Sequence, residues 1–171
     1  MTKTKKYFFD DKKELVSYIY KALSNPTPIK LQKTLYFVWA FYAATYGNID
    51  YDTESEFKEE DTYPLYLFKA NFEAWKYGPV DNDVYSWNKS DVINNFTESF
   101  VPETTQDKEI KLFLDDIISQ VDNVNDFGLV ERSHKDKAYK SVYNDNELHT
   151  SMNNNDIKRD YIHYVEQQAK I

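Results

Sequence analysis

The stretch Thr27-Pro28-Ile29-Lys30-Leu31-Gln32-Lys33-Thr34-Leu35-Tyr36-Phe37-Val38-Trp39-Ala40-Phe41-Tyr42-Ala43-Ala44-Thr45-Tyr46-Gly47 decides the fold class. Leu31, Leu35, Val38, Tyr42 and Tyr46 recur in steps of three and four, and Ile29, Trp39 and Ala43 widen that stripe. A helix apolar over so much of its circumference has to be covered on most sides. Thr27 supplies a capping hydroxyl, Pro28 fits the first turn, where its missing N–H costs nothing, and Gly47 stands where a left-handed C-terminal cap belongs.

Working outward, Leu15, Tyr18, Ile19 and Ala22 place an amphipathic helix between Asp10 and Leu23, ended by Ser24-Asn25-Pro26. Downstream, Tyr63 to Phe68 and Asn71 to Tyr77 are short, aromatic-rich and bounded by Pro, Gly and Asn, which suits extended chain or a small hairpin. Gly78-Pro79 then imposes a turn. Asp81-Asn82-Asp83 opens a short helix, and further helices are predicted from Thr105 to Val121, from Asp126 to Ser133 and from Asn153 to Gln168, with a turn at Lys137-Ala138-Tyr139. The expectation is a mainly α protein, a compact helical bundle around a central helix (about 28–46), with a small β-hairpin or extended segment near 63–77. With 171 residues a single domain over 1–171 is expected, its core running from about 16 to 165 and residues 1–9 forming a flexible arm.

Composition limits function. The 29 acidic and 21 basic side chains give a formal charge of -8, which opposes close approach to phosphate backbones and anionic lipid, so nucleic-acid and membrane partners are not expected. The basic cluster Lys3, Lys5, Lys6, Lys12 and Lys13 reads as a solvated terminus. No cysteine is present, which removes disulfides, thiolate nucleophiles and Cys-based zinc sites. No apolar run approaches the roughly 20 residues that span a bilayer, and no signal-peptide core follows the basic start, so a cytoplasmic protein is expected. Three glycines, far apart, cannot build a phosphate-binding loop.

His134, His149 and His163 are distant from one another and lack metal-ligand spacing. Ser133-His134 is adjacent in sequence but lies in no glycine elbow. No catalytic residue, metal or cofactor is therefore expected, and the chain is read as a non-enzyme. The run Asp50 to Asp61 holds seven acids and one lysine; it reads as a solvated loop, with an acidic docking surface as the alternative. Aromatic residues make up 17% of the chain, 15 of them Tyr, a composition that suits both a core and a contact surface.

Two strings occur together: Lys30-Leu31-Gln32-Lys33-Thr34-Leu35-Tyr36-Phe37, and about 40 residues later Phe72-Glu73-Ala74-Trp75-Lys76-Tyr77-Gly78-Pro79-Val80. In this order they resemble the paired signatures of the Panacea domain, the antitoxin family that includes SocA-like and phage-associated GepA-like proteins. Leu129 to Tyr139 is similar to that family's threonine/serine-histidine segment, and Asn155-Asp156-Ile157-Lys158 to its final helix start; together the resemblance spans roughly Val16 to Val165. The acidic run from Asp50 and the pair Asp81-Asn82 depart from the pattern.

The resemblance implies a protein that binds and neutralises a cognate toxin, in some members by handing it to a protease. Lys30, Gln32, Lys33, Trp75, Lys76, Tyr77, Gly78 and Pro79 are the candidate partner-binding residues. Trp75 and Tyr77 alternate along an extended segment and should face one side; Trp75 packing into the core against the long helix is the alternative. Lys30, Gln32 and Lys33 form either a solvated face or polar bonds to the extended segment or a partner. A phage-encoded acidic inhibitor of a host defence or regulatory protein, acting through Glu54, Glu56, Glu59 and Glu60, is the second functional reading.

Overall fold

The computed structural model describes residues 5–51 and 62–169. The first four residues and the acidic stretch 52–61 lie outside the described residues, and with them the carboxylates of the acidic-inhibitor reading. The described chain is mostly helical. Its elements are α1 (Lys12–Ala22), α2 (Pro28–Ala44), β1 (Phe72–Trp75), β2 (Gly78–Asp81), α3 (Asn82–Lys89), α4 (Thr105–Asp122), α5 (Asp126–His134), α6 (Lys137–Lys140), β3 (Thr150–Ser151) and α7 (Asn154–Ala169).

Helix α2 is buried nearly all round, as its apolar circumference requires. It contacts α1, α3, α4, α5, α7 and β2. The Thr27 hydroxyl accepts from Lys30 N at 3.1 Å, capping the helix, and donates to Asp126 Oδ2 at 2.8 Å, tying its start to α5. The C-terminus differs from expectation. Thr45 ends α2 and a 3-10 turn over Tyr46–Asn48 follows. Gly47 is required there by close approach and not by handedness, since a Cβ at this position would sit 2.1 Å from the Leu65 carbonyl oxygen.

The aromatic residues of α2 spend their polar atoms on the irregular segment that follows. Tyr42 Oη donates to Pro64 O at 2.7 Å and Trp39 Nε1 to Phe68 O at 3.0 Å. Buried carbonyls of a strandless segment need such donors, which explains why so much of this core is Tyr and Trp. The segment also receives the chain's start: Phe8 N donates to Tyr66 O and Phe9 N to Leu67 O, and Phe9 is buried. The described part of the expected flexible arm, residues 5–9, is tied down: Lys5 O and Lys6 O accept from Leu65 N and Tyr66 N, and the two phenylalanines and Phe100 form an edge-to-face aromatic cluster.

The hairpin overlaps the predicted 63–77 with β1 and its turn and runs beyond it with β2. Strands β1 and β2 pair Phe72 with Asp81 and Trp75 with Gly78, leaving Lys76 and Tyr77 as the turn. Gly78-Pro79 is therefore the start of a strand and not the turn itself. The short β3, not anticipated from sequence, pairs with β1 through Glu73–Ser151 and Ala74–Thr150, giving an antiparallel sheet of order β2-β1-β3. Two residues carry too little alternation to be read as a strand.

Candidate functional site

The two helix-and-hairpin signature strings meet at the inner face of β2. Gln32 extends from α2 and treats the strand edge as a partner: its Nε2 donates to Asp81 O at 3.0 Å and its Oε1 accepts from Asp81 N at 2.9 Å. This closes an edge that would otherwise invite another strand. One residue on, the Lys33 amine donates to Pro79 O at 3.0 Å and is 1% exposed. No carboxylate pairs with it among the described residues, and burial lowers its pKa to about 7. Lys30 stands apart, its amine donating to Asp122 O at the end of α4.

Gly78 is the point where these parts close on one another. Its φ is +107°, and a Cβ there would lie 2.5 Å from Ser133 Oγ and 2.6 Å from Lys33 Cε. Only glycine satisfies both the handedness and the space. Ser133, fully buried on α5, donates to Val130 O, so it is neither presented to solvent nor set up as a nucleophile.

The hairpin turn is held from below by the downstream segment. Tyr139 Oη donates to Trp75 O at 2.5 Å, and His134 Nε2 bonds Lys76 O at 3.1 Å, with the Nε2–H tautomer as donor. Burial pushes Tyr139 up to about 12, keeping the phenol a donor. Burial lowers the His134 pKa; its bond to the Lys76 carbonyl opposes this and the nearby Lys33 amine adds to it. The hairpin's far end is anchored by Asp81, which caps α3 through Val84 N at 3.1 Å and takes the Lys12 amine on both oxygens at 2.9 and 3.0 Å.

The structure thus divides the candidates. Gln32, Lys33, Gly78 and Pro79 form an internal clamp, so the alternative of polar bonds to the extended segment holds for the first two and a solvated face does not. Trp75 is half-exposed at the end of β1, stacked on His149 with ring centroids 3.7 Å apart and beside Tyr85 at 4.8 Å; it does not join the core against α2. Tyr77 sits in the turn and not on the alternating strand, so the shared-face expectation fails. Its side chain is 52% exposed, with the Lys76 amine over the ring.

Sequence reasoning gave no role to Tyr139, His149 or Tyr85. Only Tyr139 carried a signal, as the aromatic that ends the Ser133-His134 segment. Also unforeseen was a buried network in which Tyr36 and Tyr161 donate to Asp136 Oδ2 at 2.6 and 2.7 Å and Arg132 to Oδ1 at 3.0 Å.

The hairpin and the segment that braces it both lie within residues 55–140, which match the Panacea domain of SocA-like antitoxins. The chain belongs to this antitoxin-like family. Within the Panacea domain so delimited fall β1 to α6, whereas α2, which supplies Gln32 and Lys33, lies outside the matched residues. No curated protein and no solved structure matches the chain. Among the described residues, no helix is long and apolar enough to cross a membrane.

Proposed function

We propose that this Panacea protein is an antitoxin that neutralises a cognate protein toxin by direct binding, with no chemistry of its own, and that the outer face of the β1–β2 hairpin is its contact. The observation that carries this reading is the turn itself. The carbonyls of Trp75, Lys76 and Pro79 are each held by a side chain from another element, while Tyr77 projects into solvent. An aromatic side chain on a backbone already fixed loses little freedom on binding, which is the economy expected of an interface anchor. Trp75, Tyr85 and His149 extend the aromatic surface along the same hairpin and beside it.

The test is co-expression with the toxic product of a neighbouring gene, read as growth rescue and co-purification. Tyr77→Ala and Lys76→Glu, which change exposed side chains that make none of the clamp's bonds, are expected to abolish rescue with the circular dichroism spectrum unchanged. Rescue in which toxin abundance falls only while host proteases are intact assigns an adaptor role; rescue at constant abundance assigns occlusion. A chain that rescues and binds no neighbouring toxin is not an antitoxin of this kind.

A further inference from the structure

A groove opens between α2, α4, α5 and α7. Phe37 and Phe41 of α2 form its floor, Ile117 and Val121 of α4 one wall, Leu129 of α5 the other, and Tyr164 of α7 its far end; the cavity volume is about 430 Å³. Its surroundings are unusually apolar for a surface carrying no partner. Val124, which lines the groove, is 40% exposed, and outside the lining Leu112 of α4 and Phe127 of α5 are 70% and 79% exposed. Leu112 lies one helical turn before Asp116, on the same face of α4. An apolar groove with polar groups at its edge and exposed apolar side chains on the helices that form it is the kind of surface that marks an interaction site.

Charge selects the occupant. Among the described residues, the charged groups lining the groove are Asp116 and Arg132. Arg132 is already engaged, bonded to Asp136 and lying over the rings of Tyr164 and Tyr161 at 4.9 and 5.6 Å. Asp116 accepts from the neutral Gln120 amide at 3.2 Å, and no cation among the described residues pairs with it. The uncommitted charge at the mouth is therefore negative, on a chain of formal charge -8. A second copy would bring two such chains together against their mutual repulsion.

We infer that this groove receives an amphipathic helix of a protein partner, its apolar stripe on the Phe37–Phe41 floor and a flanking Lys or Arg against Asp116. A channel between helices accepts the side-chain ridge of another helix in the way helices pack within a protein. The inference deepens the toxin-binding reading by supplying a second contact, separate from the hairpin and of different chemistry.

The test uses the full chain and a labelled synthetic amphipathic helix with Leu in steps of three and four and Lys on both flanks, titrated by fluorescence anisotropy. Controls are a Glu-flanked twin and a version of the same composition broken by central prolines. The Lys-flanked helix is expected to bind, more weakly at high salt, with Asp116→Lys and Val124→Glu each reducing affinity about tenfold. Both positions are exposed, so folding is retained. Equal binding of the Glu-flanked or proline-broken peptide overturns the inference, as does indifference to both substitutions. Concentration-dependent self-association that Val124→Glu abolishes assigns the groove to a second copy and also overturns it. If toxin rescue survives Asp116→Lys and Val124→Glu but not Tyr77→Ala, the groove fails and the antitoxin reading stands. If no toxin is rescued by any form, the antitoxin reading fails and the peptide titration still decides the groove.

Discussion

Lys33 is an amine sealed against one carbonyl, and the consequence is a stability that depends on pH in a set direction. Its pKa is about 7 in the folded chain against 10.5 for an unhindered lysine. Below pH 7 both states are protonated and the full cost of burying the cation is borne. Between pH 7 and 10.5 the unfolded chain binds more protons than the folded one, so stability rises with pH and levels off above that window. At about 1.4 kcal/mol per pKa unit the whole effect is on the order of a few kcal/mol. Around this amine, His134 adds a like charge when protonated, whereas Ser133 and Pro79 present only neutral oxygens. Urea midpoints of the native chain are expected to climb from pH 7 to pH 9, and those of Lys33→Met to stay nearly level; parallel slopes for the two would contradict this account.

At the scale of elements, α2 and β2 are joined as though the helix supplied a strand. The Gln32 amide satisfies both backbone groups of Asp81 in a buried setting, a role no aliphatic side chain of equal size can fill. Gln32→Leu leaves a donor and an acceptor without partners and is expected to cost about 2 to 4 kcal/mol in equilibrium unfolding. Amide exchange should quicken first in Gly78–Asp81. A loss below about 0.5 kcal/mol would mean that water or a shifted strand takes over both bonds. The same logic explains why the hairpin forms at Phe72–Asp81 and not at Tyr63–Phe68: the latter segment is satisfied by α2 side chains and by the backbone of residues 5–9, whereas Gly78 provides the positive φ on which a two-residue turn can close.

Across the whole molecule, α2, α5 and α7 are tied at one buried carboxylate. Asp136, between α5 and α6, accepts from Tyr36 of α2, Tyr161 of α7 and Arg132 of α5. Asp136→Ala strands two phenols and a half-buried guanidinium and is expected to destabilise the fold by about 3 kcal/mol, with α7 amides exchanging faster than those of α2. Uniform loss of protection over α2 and α7 would show that the network stabilises the fold without coupling these helices.

The periodicity of α1, α2, α4, α5 and α7, the caps at Thr27 and Asp81, and the signature strings that mark the Panacea family were legible in the chain alone, because burial demand and capping act within a few residues. Which polar residues face inward was not. For Gln32 and Lys33 a solvated face and polar bonds to the extended segment or a partner both stay open in the sequence, because their partners, Asp81 and Pro79, lie more than forty residues away, and hydrogen-bond satisfaction is settled only when β2 is laid against α2. The groove beside Asp116 is likewise a product of assembly, since no local pattern states what gap four packed helices will leave. The sequence determined the helices and the family by short-range physics; the tertiary structure decided which of the signature residues hold the hairpin and which, like Tyr77, stay exposed.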